Sequence, residues 1–181
     1  MQPKTSIRAL RSEAGFTLLE LMFTIALAAI LMAMAIPSFR SMIANNRLTT
    51  QANDVIGAIN YARSEAISHN GTVTFCRAAT EAANTCVTAT GDWQFWIVRN
   101  AAGTVVRSGA ISTNGGILRV SSSLALDALA YSSDGMGRSG GALITSRTFT
   151  VCVNNVSTDN IRTVTLGAGS RISTAKSSGG C

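Results

Sequence analysis

The chain has 181 residues, which allows one ordinary domain together with a membrane segment and little more. Apolar residues make up 46% of the chain and charged residues 13%, and so small a charged fraction argues against a purely soluble protein. The formal net charge of +6 could favour an anionic surface, but an excess this mild is common and identifies no partner.

The N-terminal segment changes abruptly from polar and basic to apolar. Residues 1–15 are polar and basic, whereas residues 16–36 form an apolar run in which Glu20 is the only charge. At about 1.5 Å per residue, a helix of this length crosses the roughly 30 Å hydrocarbon core of a bilayer. The run therefore predicts a membrane-spanning helix. Glu20 is unexpected in it, because a carboxylate inside a membrane usually needs a partner.

Three interpretations of this segment compete. A secretory signal could be cleaved after Ala33-Met34-Ala35, although the apolar run is longer than the usual core of about 7–15 residues. A plain membrane anchor would let Glu20 extend toward the lipid headgroups. The third interpretation depends on a motif around Gly15.

Pro37 is predicted to kink or end the first helix, because proline lacks a backbone N–H and clashes with the carbonyl group four residues back. A helical pattern resumes at once and continues to Asn70-Gly71, where Gly71 can adopt the left-handed conformation that stops a helix. Its apolar residues have the i, i+3, i+4 spacing of an amphipathic helix. They are Phe39, Met42, Ile43, Leu48, Ala52, Val55, Ile56, Ile59, Ala62, Ala66 and Ile67. This half of the helix is predicted to pack on a domain.

Beyond Gly71, short runs rich in Val, Thr, Ile and aromatic residues alternate with Gly, Asn, Ser and Asp clusters, which are strand and turn signals. The segment RNAAGTVVR directly follows WQFWIV and predicts a hairpin. No second long helix is indicated. The expected fold class is α+β, with a long N-terminal helix, partly transmembrane and partly amphipathic, packed on a C-terminal antiparallel β-sheet head.

The four cysteines form an even set after an export-like N-terminus, which predicts disulfides in an oxidising compartment. Of the three possible pairings we favour Cys76–Cys86, which closes a short loop, and Cys152–Cys181, which would hold a Gly-rich tail. Buried free thiols are the alternative. No C-x-x-C motif occurs and the chain has one histidine, so a zinc site is not indicated.

The segment AGFTLLEL, with a basic leader before it and an apolar run after it, resembles the type III signal of type IV pilins and type II secretion pseudopilins. The resemblance implies that a prepilin peptidase cuts between Gly15 and Phe16 and methylates the new N-terminus of Phe16. Glu20 then becomes the fifth mature residue, where the family has its assembly carboxylate, and Pro37 falls at the family's helix-kinking proline.

The segment INYARSEAISHNGTVTFC further resembles the GspH/FimT-type subgroup. The implied organisation is a cleaved leader (1–15), a transmembrane and assembly helix (16–37), an amphipathic helix half (38–70) and a β-rich head (71–181). The implied function is a minor pilin in a type IV pilus, with pseudopilin H of type II secretion as the alternative. The implied partners are other pilins or pseudopilins, the prepilin peptidase and the inner membrane, with the head in the periplasm.

An enzymatic role is not indicated. His69 is the only histidine and stands at a predicted helix end, where histidines commonly contact terminal carbonyl groups. The carboxylates are scattered and the glycines form no phosphate-binding loop. We therefore expect no catalytic residues, metal or cofactor.

DNA binding is the second functional alternative. Some FimT-type minor pilins are DNA receptors with a C-terminal G-R-x-R motif, and this chain has GSRIS there, which keeps one arginine without the pattern. Phosphate contacts need clustered positive charge. Five cationic residues could gather on the C-terminal strands: Arg138, Arg147, Arg162, Arg171 and Lys176.

Overall fold

The computed structural model describes residues 15–113, 115–156 and 158–181, apart from the side chain at position 37. The chain divides into two compact units, Met1–Phe39 and Arg40–Cys181. The predicted leader therefore lies outside the described residues, except for Gly15. A single long helix, α1 (Leu18–Ser68), contributes to both units.

The two ends of α1 are capped, and position 37 does not interrupt the helix. The Thr17 hydroxyl oxygen accepts a hydrogen bond from the Glu20 N–H at 3.2 Å, which is the arrangement of an N-cap. Pro37 does not end the helix, because it removes one hydrogen bond from a run of strong helix formers. At the other end, the Gly71 N–H donates to the Ala66 carbonyl at 3.0 Å. The left-handed residue there is Asn70, at φ +47°, and not Gly71 as predicted.

One side of α1 within the second unit is buried in the main core. Leu48, Val55 and Ile59 are at most 1% exposed, and small alanines between them bring the helix close to the strands. Burying a side chain of this size stabilises the fold by about 1.5–3 kcal/mol. Four members of the predicted apolar stripe are exposed instead: Phe39, Met42, Ile43 and Ile67. The amphipathic stripe is therefore shorter than the sequence pattern indicates.

The larger sheet has six strands in the order β3-β2-β1-β5-β6-β7, and every pair is antiparallel. Its strands are β1 (Val73–Ala78), β2 (Phe95–Asn100), β3 (Val105–Ala110), β5 (Ala128–Tyr131), β6 (Gly137–Ser139) and β7 (Ala142–Leu143). The predicted hairpin is present as β2–β3, with a register shift between Val98 and Arg99. The tight approach of Gly109 to the Trp96 ring leaves no room for a Cβ atom on β3.

A second antiparallel sheet has four strands in the order β10-β9-β8-β4. Its strands are β4 (Leu118–Ser122), β8 (Ser146–Val153), β9 (Ile161–Gly167) and β10 (Ile172–Ser177). The predicted α+β class is confirmed. Division of the head into two sheets was not predicted, because strand signals are local whereas the pairing partner of each strand is set by distant contacts.

Aromatic rings join the two sheets inside the core. The Phe75 ring on β1 lies 5.1 Å from the Trp93 ring and 5.9 Å from the Phe149 ring on β8, measured between centroids. Trp93 and Phe149 are themselves 5.1 Å apart in an edge-on arrangement. Contacts of this geometry contribute about 0.5–1.5 kcal/mol each beyond area burial. Trp93 and Trp96 are therefore core residues.

A small second cluster covers the other face of the six-stranded sheet. Cys76, Ala78 and Ile97 are buried there, and the segment between β1 and β2 lies over them. The disulfide Cys76–Cys86 fastens this segment to β1, with Cα atoms 5.6 Å apart. The part of the sheet around β1 and β2 is thus covered on both faces.

The second predicted pairing, Cys152–Cys181, is also present and ties the C-terminal tail to β8. We expect Cys181→Ser to lower the free energy of unfolding by about 2–4 kcal/mol, because the disulfide closes a loop spanning 29 positions. Urea unfolding of the oxidised protein would measure this loss. Cys181 is exposed, so the substitution buries no hydroxyl group.

Cys152→Ser is the matched variant. It breaks the same bond at a buried position, and the loss should therefore be at least as large. Four alkylatable cysteines in native oxidised protein would contradict both pairings.

Candidate functional site

The predicted processing site lies immediately before α1. Gly15 has open space around its Cα, and the Phe16 side chain is 83% exposed. Glu20 stands in the first turn of α1, where a carboxylate favours the positive end of the helix dipole. The bond between Gly15 and Phe16 thus lies outside the helix.

The part of α1 in the first unit is almost uniformly apolar and exposed. By length and composition α1 could cross a membrane, although a signal sequence passes the same test. Its exposed apolar side chains include Leu19, Met22, Phe23 and Ile30. An exposed apolar surface of this extent indicates a membrane or a partner protein, because water solvates it poorly.

The structure separates the five predicted DNA-contacting residues into two groups. Arg147, on β8, is next to Ser146, which pairs with Gly167 on β9. The Gly167 N–H in turn donates to the Arg171 carbonyl at 2.8 Å. These two arginines therefore lie at the same end of the four-stranded sheet.

Ser170 brings Arg138 to the same end. The Ser170 hydroxyl accepts a hydrogen bond from the Gly137 N–H at 3.0 Å and donates one to the Gly135 carbonyl at 3.1 Å. Arg138 follows Gly137, and Arg171 follows Ser170. Arg138 on β6 and Arg171, which immediately precedes β10, are thus held near one another by a single buried hydroxyl group.

Arg63, on α1, packs against the same turn and was not predicted to join this group. A Cβ atom at Gly135 would lie 3.3 Å from the Arg63 Nε. Burial raises the pKa of Tyr131, while the nearby Arg63 charge and a hydrogen bond with Ser170 act in the opposite direction. We call Arg63, Arg138, Arg147 and Arg171 the Ser170 cluster.

The main counter-charge in this region is Asp134. Its carboxylate accepts a hydrogen bond from the Met136 N–H, which lowers its pKa, and Arg138 lowers it further. The Arg138 guanidinium reaches the Asp134 carboxylate at 3.5 Å and the Ser132 hydroxyl at 2.6 Å. Four arginines against one acid leave the Ser170 cluster positive.

The remaining two residues do not belong to this group, which corrects the expectation that all five gather. Arg162 lies on β9, and Lys176 is its partner on β10. Arg162 is five residues from Gly167 along β9, which is about 17 Å. Arg162 is also only 5% exposed. Its guanidinium donates to the Asn45 side chain at 2.7 Å and to two backbone carbonyls. It points to the core because it shares the face of Val164 and Leu166, so it cannot contact a phosphate.

His69 was predicted to contact a terminal carbonyl group of the helix, but its side chain contacts a carboxylate instead. Its Nε2 lies 3.2 Å from the Glu65 Oε1 one turn earlier on α1. Within the described ranges, no group of three or more His, Cys, Asp or Glu side chains could hold a metal ion.

Comparison with known proteins identifies two segments of the chain. A family described as type II transport protein GspH matches residues 51–170, about two thirds of the sequence. The prokaryotic N-terminal methylation motif matches residues 10–36 and so includes Gly15, Phe16 and Glu20. No curated protein sequence matches the chain.

Two crystal structures of the type IV minor pilin FimU from Pseudomonas aeruginosa have a similar fold. One has a TM-score of 0.50 and covers 71% of this chain and 92% of the FimU chain. The other has a TM-score of 0.52 and covers 72% and 89%, and both are 22% identical in sequence. Because the GspH match covers more than half of the sequence, the chain belongs to the GspH-type family of type IV pilin-like proteins, which are structural subunits and not enzymes.

Proposed function

We propose that this protein is a minor pilin that is processed at Gly15–Phe16, held in the bacterial inner membrane by α1 with its head in the periplasm, and incorporated into a type IV pilus. The observation that carries the proposal is the position of the two family matches along the chain. The methylation motif match includes Gly15, Phe16 and Glu20, and the GspH match begins within the same helix. Membrane anchoring and association with other pilins or pseudopilins follow from the family.

The assignment to a pilus has a close alternative in pseudopilin H of type II secretion, since both share this architecture. Deleting the chromosomal copy discriminates between them. We expect loss of surface pili or of twitching motility, with protein secretion unchanged. Loss of secretion with normal piliation would instead identify a secretion pseudopilin. Re-expression of the wild-type chain is the control.

Processing is tested by mass spectrometry of the N-terminus of protein purified from membranes. We expect a mature chain that begins at methylated Phe16, and the match of the methylation motif to residues 10–36 supports this expectation. A chain that begins at Ile36, after Ala33-Met34-Ala35, would instead show a secreted protein without a membrane helix. Gly15→Val is the matched variant, since a bulky residue before the cut should block processing and leave the leader attached.

The Ser170 cluster supports DNA binding as a second candidate function. We expect gel mobility shifts with duplex DNA that weaken steeply with salt, and Arg171→Gln should reduce the slope of log affinity against log salt by about one. Lys176→Gln is the control, because it removes an exposed charge toward the other end of the four-stranded sheet. No shift at low salt, or an equal effect of both substitutions, would eliminate this site.

A further inference from the structure

A groove in the second unit lies between α1 and the loops that flank the four-stranded sheet. It consists of two adjoining depressions of about 380 and 100 Å³ that share Ile43, Arg47 and Leu118. Arg40 lines the smaller depression together with Ile117. We call these five residues the arginine groove. Its walls are mainly apolar, and its charged groups are both cationic.

The two arginines present their charge on one side of α1. Arg40 and Arg47 are seven residues apart, which is two helical turns or about 10 Å. Both are exposed. Throughout the described part of the chain, neither has a carboxylate within ion-pair distance, whereas Arg77, Arg119 and Arg138 each have one. Unpaired guanidinium groups beside apolar walls match a ligand that carries an anionic group on an apolar body.

The position of Arg40 in the sequence indicates where such a ligand is found. Arg40 follows Ile36, the last residue of the apolar run, by four residues, so chain length alone keeps it within about 14 Å of that residue. The headgroup layer extends about 5–8 Å beyond the hydrocarbon core on each side. If the apolar run crosses the membrane, as the proposed function requires, lipid headgroups are within reach of Arg40.

We propose that the arginine groove binds an anionic phospholipid, with its phosphate group beside Arg40 and Arg47 and its glycerol carbons against Ile43, Ile117 and Leu118. Anionic lipid fits better than an acidic segment of a partner protein. A highly charged peptide has little apolar surface to place against the apolar walls, whereas a lipid has carbon atoms next to its phosphate group. This inference rests on the membrane anchoring in the proposed function. The interaction would hold the head against the bilayer before assembly.

The test is native mass spectrometry of the detergent-solubilised full chain, titrated with phosphatidylglycerol and with phosphatidylcholine of the same acyl chains. We expect tighter retention of phosphatidylglycerol, weakened about five-fold by Arg47→Gln and again by Arg40→Gln, because one basic residue near an anionic lipid surface contributes a factor of this size. Lys176→Gln is the matched control and should leave retention unchanged. Phosphatidylcholine binding should not respond to any of the three substitutions.

Two further measurements separate the outcomes. Flotation of the chain with phosphatidylcholine vesicles at high salt reports anchoring alone, and its failure would overturn the proposed function. Flotation without any preference for phosphatidylglycerol, or an equal effect of Lys176→Gln, would overturn only the lipid site. Binding of poly-glutamate that requires Arg47, without lipid preference, would show that the groove takes an acidic protein segment and would likewise overturn the proposal.

Discussion

Replacing Asp127 is expected to destabilise the head more than any other single change in a charged residue. Its side chain is 1% exposed and lies 2.8 Å from the Arg77 Nε, and the Arg77 side chain is itself only 15% exposed. The same carboxylate accepts hydrogen bonds from the Gly91 N–H at 2.8 Å and the Ser122 hydroxyl at 2.6 Å. Removing one partner of a buried ion pair typically costs about 3–5 kcal/mol, because the other charge is left without compensation.

The choice of substitution matters, since Asp127 has φ +48°. Alanine would add backbone strain in this left-handed conformation, whereas glycine adopts it freely. Asp127→Gly therefore removes the carboxylate without that strain, and we expect it to lower the free energy of unfolding by about 3 kcal/mol or more. Asp127→Asn should cost less, because it keeps one acceptor oxygen and tolerates the conformation.

Urea unfolding of the detergent-solubilised chain, followed by tryptophan fluorescence, would measure these losses. Both tryptophans, Trp93 and Trp96, are buried in the second unit and report its unfolding. The control is Asp92→Ala, which breaks the exposed pair with Arg119 and should cost at most about 1 kcal/mol. Equal losses for Asp127→Gly and Asp92→Ala would show that burial of the Arg77–Asp127 pair has no energetic consequence.

The sequence predicted those features that depend on local patterns. The apolar run, the α+β class, the β2–β3 hairpin and the family resemblance all rest on residue types at short spacings, and the fold and the family matches confirm them. Both cysteine pairings are also present. These pairings could be predicted from the sequence because one closes a short loop and the other holds a C-terminal tail that has little else to fix it.

The sequence could not predict features that depend on long-range contacts. Nothing local marks Asp127 as a buried ion-pair partner, because Arg77 is 50 positions away. Ser170 joins residues 33 and 35 positions distant. Arg162 was misjudged because its inward direction follows from the register of β9 with β8 and β10, which alternation along one strand does not reveal.

Glu20→Ala is expected to block incorporation into the filament while leaving membrane insertion and processing intact. A carboxylate costs about 2.5–3.5 kcal/mol at the centre of a membrane helix and less near its end, where Glu20 lies, so alanine should insert at least as well. In a filament, Glu20 can meet the free Phe16 amine of a neighbouring subunit in an apolar environment, where opposite charges attract strongly. Without the carboxylate, the neighbour's ammonium group lacks a partner.

The N-cap in the structure offers a competing explanation for Glu20. Thr17 and Glu20 have the spacing of a capping box, in which the Glu or Gln side chain three residues after the cap accepts a hydrogen bond from the backbone N–H of the cap residue. Glutamine serves in a capping box as well as glutamate, but it cannot pair with an ammonium group. Thr17→Ala removes the cap and keeps the charge. Glu20→Gln and Thr17→Ala therefore separate charge pairing from helix capping.

The measurement is the amount of processed protein in the membrane and in sheared pili, determined by immunoblotting for each variant. Charge pairing predicts that Glu20→Ala and Glu20→Gln are both processed and both absent from pili, while Thr17→Ala is incorporated. Capping predicts the reverse for the last two variants, because glutamine keeps the cap that Thr17→Ala removes. Other helix contacts in the filament could compensate for part of the loss, so wild-type incorporation of both Glu20 variants would show that neither mechanism is needed. The carboxylate would then act before assembly, in the membrane, where its snorkelling toward the headgroups is the remaining physical account.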